Sequence, residues 1–187
     1  MQSIIRETIL AQLLYVPTLV DQYSQQESRF TDNTVDWLRK TEKALEPFRL
    51  PLVSRLSGFR GIVVATSEGL TEDANGKITR KQKRGQTMQM VQQAEIALRE
   101  HVEGIDRQFD EYRDKLSQIL AVASSREPLP ATNAITSGYL DKIWEQAKAA
   151  QDNPTLALYL QGRIAETDRR YLLGDIIGHL LAQPTTS

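Results

Sequence analysis

The sequence predicts an all-α protein, an elongated helical bundle with one long central helix and five or so shorter helices, and three observations carry that expectation. The first is a heptad stripe. Leu98, Val102, Ile105, Phe109, Tyr112, Leu116, Ile119 and Ala123 follow one another in alternating steps of four and three. A repeat near 3.5 residues draws a narrow apolar seam along a helix, and such a seam needs a partner helix from this chain or another. The second is that apolar positions elsewhere recur at helical spacing, with β-branched residues scattered among Ala, Leu, Gln and Glu. The third is the placement of proline: Pro17, Pro47, Pro51, Pro128, Pro130 and Pro154 fall at the margins of those stretches.

Each element has its own justification. Ser3 to Val16 sets Ile5, Ile9, Leu10, Leu13 and Leu14 on one face, which predicts an amphipathic helix that ends or kinks at Pro17. A polar continuation, 18–26, follows. Thr31, Asp32 and Asn33 offer N-cap chemistry for a second helix with Val35, Leu38, Leu45 and Phe48 as its apolar positions and Trp37 beside them. Pro51 suits the first turn of the next helix, whose run from Leu52 to Val64 is the most apolar of the chain and predicts a buried helix. Ile62 to Thr66 is strand-like by composition, but no second strand is available to pair with it.

A loop is expected over 68–78, where Gly69 and the pair Asn75-Gly76 accept positive φ. The long helix is expected over 79–124, roughly 60–65 Å at 1.5 Å per residue, stopped by Pro128 and Pro130. A linker, 126–133, precedes a C-terminal helical pair within 133–182. Its first member buries Leu140, Ile143, Trp144 and Ala147. Its second runs unbroken from Pro154 or Thr155 to Ala182 after a turn at Asp152-Asn153-Pro154. The tail from Pro184 to Ser187 is expected to fray. At 187 residues the chain is expected to make one helical domain over 1–187, with a core large enough to need no disulfide or metal.

Composition narrows the chemistry. There is no cysteine, which removes disulfides, thiolate metal sites and a cysteine nucleophile, and fits a reducing cytoplasm. A net charge of −1 with 25 % charged residues does not suit a protein that coats nucleic acid wholesale, but it leaves room for a local basic patch. Arg6, Glu7 and Gln12 interrupt the N-terminal apolar run, so neither a signal peptide nor a membrane partner is expected.

The candidate sites follow. The seam residues Val102, Ile105, Phe109 and Tyr112 are the expected protein interface, closing on a partner protein or a second copy. Lys77, Arg80, Lys81, Lys83 and Arg84 form a basic cluster after the Asn75-Gly76 turn and are the candidate nucleic-acid contact. Cations at a helix N-terminus oppose the macrodipole, so helix stability does not account for them. No aromatic residue interleaves the cluster. Gly58-Phe59-Arg60-Gly61 matches a bare GxxG pattern, better suited to close helix approach or to softening the helix than to binding, and Gly174/Gly178 is a small-residue pair better suited to close packing of the last helix. Tyr171, Asp175 and His179 share a helical face, the only arrangement that suggests acid–base work or ligand sensing. Alternating carboxylates and arginines from Glu95 to Lys115 describe a solvated, ion-paired face. No cofactor, metal site or catalytic set is expected. The function these features favour is a non-catalytic interaction protein, a subunit or adaptor of a larger assembly. A nucleic-acid-associated helical protein is the alternative.

Overall fold

The computed structural model describes residues 1–70, 72–73, 76–130, 134–150 and 154–182. Among them the fold is all-α: α1 (Gln2–Leu13), α2 (Val16–Ser24), α3 (Phe30–Leu45), α4 (Pro51–Glu68), α5 (Arg80–Arg126), α6 (Ser137–Ala149), α7 (Thr155–Arg163) and α8 (Glu166–Ala182). A 3-10 turn, Glu46–Phe48, joins α3 to α4. Within the expected loop, β1 (Glu72–Asp73) and β2 (Gly76–Lys77) form a two-residue antiparallel ladder. Asn75, Asp152, Asn153, the end of the linker at 131–133 and the tail lie outside the described residues.

The contacts fall into two compact units, one of Ile4–Gly104 and one of Met1–Ser3 with Ile105–Ser187. In the first, α1 and α2 bury Ile5, Ile9, Leu13, Val16 and Leu19. Pro17 sits in the opening turn of α2, where its missing N–H costs nothing, so the proline starts a helix rather than ending one. Helix α3 packs along α4. A bidentate pair ties them: Arg60 Nε and Nη2 donate to the two carboxylate oxygens of Glu42 at 2.7 and 3.2 Å. Arg60 belongs to the GxxG stretch, which is mid-helix here and presents no nucleic-acid clamp.

Three expectations change in this unit. Helix α3 begins at Phe30, so Thr31, Asp32 and Asn33 lie inside the first turn and Arg29 holds the cap position without a side-chain bond. Helix α4 is helical through Ile62–Thr66 but buries only one stripe: Leu52, Leu56, Val63 and Thr66 are inside and Ile62 is exposed. Leu14 is not on the buried face of α1. It occupies the turn after the helix, where the chain rotates Val16 inward in its place.

In the second unit α6 packs against α8. Thr136 caps α6 as its hydroxyl accepts from Tyr139 N. Leu140, Ile143, Trp144 and Ala147 are buried as expected. The last helix is not continuous. Ile164 adopts an extended conformation (φ −111°, ψ 125°) and is itself buried, which separates α7 from α8. Glu166 and Asp168 then open α8 with carboxylates in its first turn, where they favour the positive end of the dipole. Asp168 also serves α1: it accepts from Gln2 N (2.9 Å), Ser3 N (2.9 Å) and Ser3 Oγ (2.6 Å), and pairs with the Met1 amino group.

Candidate functional site

The seam comes first because the sequence singles it out. Val102, Ile105 and Phe109 are buried and Tyr112 half-buried, and Leu98, Leu116, Ile119 and Ala123 are buried with them. The stripe continues N-terminally through Thr87, Val91 and Ala94, all buried. Phe109 also meets Tyr171, ring centroids 5.8 Å apart. This apolar area is used within the chain itself. Of the four residues expected to form an open interface, Val102, Ile105 and Phe109 are core and Tyr112 is half-buried at its edge, because a stripe of this length is buried by the nearest apolar helices available to it.

The basic cluster divides in two. Helix α5 starts with a reciprocal cap: Gln82 N donates to Thr79 Oγ1 (3.2 Å) and Thr79 N donates to Gln82 Oε1 (2.8 Å). That cap fixes the directions of the cations that follow. Arg84 turns inward and donates to the carbonyls of Glu27 (2.7 Å), Tyr23 (2.9 Å) and Gln22 (3.4 Å) around the end of α2. Its guanidinium lies 5.3 Å from the Phe30 ring centre and 5.7 Å from that of Tyr23. Lys83 Nζ donates to Ser67 O (3.0 Å) near the end of α4. Both side chains satisfy helix C-terminal carbonyls, a structural task. Arg80 and Lys81 do not share it. They are exposed and, with Arg84, Tyr23, Ser24 and Gln26, line a cleft of about 570 Å³. Lys77 lies in β2, and its side chain is outside the described residues. The structure thus brings the basic segment to an aromatic ring that lies more than fifty residues away in sequence. No local spacing could have signalled Tyr23.

A second surface lies on the outer side of α1 and the turn that follows it. Ile4 is 51 % exposed, Leu14 80 % and Tyr15 40 %. Beside Tyr15 a smaller cavity of about 280 Å³ is lined by Ala11, Gln12, Asn33, Asp36, Trp37 and Lys40. Trp37 is otherwise buried, and its indole N–H donates to Gln12 O at 3.0 Å. Gln2–Ser24 is the one stretch among the described residues long and apolar enough to cross a membrane by length and composition. Here it is two helices whose inner side chains serve as core of the first unit.

Asp175 receives Arg113 Nε at 3.1 Å, and His179 Nε2 stands 3.5 Å from its other oxygen with the imidazole 80 % exposed. A carboxylate already held by a guanidinium and an imidazole open to water form no buried acid–base pair. Among the described residues a Cβ at Gly58, Gly61 or Gly178 would meet nothing within 4 Å, so no close helix approach is seen there. At Gly174 it would touch Leu140 at 3.7 Å, and there the glycine does serve helix contact. Trp144 is buried under Arg169, whose guanidinium lies 4.8 Å from the ring. Arg170 and Asp141 form a bidentate pair, and that hydrogen bonding holds the Asp141 carboxyl below its ordinary value. Among the described residues no group of three or more His, Asp or Glu is placed to hold a metal ion.

No family model, no curated protein and no solved structure matches this chain.

Proposed function

We propose that the protein is a non-catalytic helical interaction protein, a subunit or adaptor of a larger protein assembly, which receives its partner on the outer side of α1. The observation that supports this reading is Leu14, a large apolar side chain 80 % exposed, next to Tyr15 and the cavity over Trp37. Single exposed apolar residues are common. Leu14 and Tyr15 are neighbours in the turn that ends α1, whose inner face is already buried, and Tyr15 lines a recess that can take a partner's anchor side chain, the arrangement on which binding energy concentrates at interfaces. Lys40 and Asp36, the latter paired with Arg39 at 3.2 Å, line the recess with charge of both signs. Docking through Val102, Ile105, Phe109 and Tyr112 requires the core to open first, so the reading passes from the seam to α1.

The test is affinity capture from native extract with nuclease present, comparing the wild type with a Leu14→Asp, Tyr15→Ser double variant. A stoichiometric protein kept by the wild type and lost by the variant, at an unchanged melting temperature, is the expected result. Equal recovery by both rejects the α1 surface. Sedimentation of the two proteins separates a foreign partner from a second copy of this chain.

A further inference from the structure

We propose that the cleft between the end of α2 and the first turn of α5 binds a nucleotide phosphate, free or within a strand, through Arg80, Lys81 and Tyr23. Three separate observations meet there. The cleft, about 570 Å³, falls within the size range of small-ligand sites, roughly 300–1,000 Å³. Arg80 and Lys81 line it, are exposed, and make no ion pair or hydrogen bond among the described residues, whereas Lys83 and Arg84 beside them are engaged with carbonyls. Tyr23 lines it as well, its ring held in place against Phe30 (centroids 5.5 Å apart) and under Arg84, yet still partly exposed.

Each part matches one part of a nucleotide. Arg80 and Lys81 open α5, which carries no acidic residue in its first turn to offset them. Adjacent cations there are unfavourable with the helix dipole, and an anion in the cleft relieves both costs. A guanidinium presents a planar fork to phosphate oxygens and an ammonium a mobile point charge, a combination suited to phosphate. The Tyr23 ring supplies a stacking face for a base. Gln26, at a left-handed turn (φ 55°), adds an amide at the edge for a polar base substituent.

The experiment is fluorescence anisotropy of a labelled oligothymidylate of about twelve residues, titrated at several salt concentrations and competed with ATP. Three variants are compared with the wild type: Arg80→Glu with Lys81→Glu, Tyr23→Leu, and a control pair, Lys43→Glu with Lys142→Glu, that alters net charge equally. The cleft reversal is expected to weaken binding at low salt about tenfold or more and to flatten the salt slope by roughly two. Tyr23→Leu is expected to weaken it several-fold with the slope unchanged. Displacement by ATP assigns the site to free nucleotide. Retention of the strand against ATP assigns it to nucleic acid. Absence of binding by either probe at low ionic strength, or equal loss in the cleft and control pairs, overturns the proposal. An unchanged affinity for Tyr23→Leu overturns the nucleotide assignment.

Discussion

Asp168 shows what a single side chain does in this molecule. Burial pushes its carboxyl up, but the Met1 amino group, the Ser3 hydroxyl and the Ser3 and Gln2 amides more than offset that, so it lies below its ordinary 3.8. A carboxyl held below its unfolded value adds stability at any pH above that value, and the contribution is lost as pH falls through the folded one. We expect wild-type stability to decline below about pH 4. An Asp168→Asn variant should show a smaller decline there. At neutral pH Asp168→Ala should cost about 2–3 kcal/mol in chemical denaturation, because the α1 amides are left without an acceptor. Arg84→Ala should cost about 1–3 kcal/mol by the same measurement. Arg80→Ala, Lys81→Ala and His179→Ala should each stay within about 0.5 kcal/mol of wild type. Equal costs across the four cations 80–84 would show that the division between structural and free cations is wrong.

At the scale of elements, α5 runs unbroken from Arg80 to Arg126 and buries one stripe for most of its length. Phe109→Ala and Leu116→Ala should therefore behave as core truncations and cost about 3–5 and 2–5 kcal/mol by denaturant titration. A seam that met only an external partner would tolerate both with little loss. The stripe was legible because helical periodicity is local. The break at Ile164 was not legible. Nothing in Arg163-Ile164-Ala165 forbids helix, and the extended residue persists because its side chain is buried and α8 opens with its own acidic turn. The start of α3 shows the same limit: Thr31, Asp32 and Asn33 all resemble caps, yet burial of Phe30 and Thr34 sets the phase of the helix.

At the scale of the molecule, the contacts gather into two units, and each contains one tryptophan, Trp37 in the first and Trp144 in the second. Both are buried, so each reports the unfolding of its own unit. Because α5 contributes to both cores without a break, we expect the single-tryptophan variants Trp37→Phe and Trp144→Phe to give coincident fluorescence transitions in denaturant. Two separated midpoints would instead mark independently folding halves.

Helical class, the extent of the long helix and the buried face of α6, Trp144 included, are all written in residues within a few turns of one another, and period and proline placement suffice to read them. Tertiary structure alone decided the rest. It turned the seam from interface into core, since a periodic pattern states that a face is apolar but not what covers it. It divided the basic cluster by setting carbonyl ends of α2 and α4 against Arg84 and Lys83, leaving Arg80 and Lys81 beside Tyr23. It exposed Leu14 by rotating the chain at one turn. Each of these outcomes depends on groups distant in sequence that meet only when the helices pack.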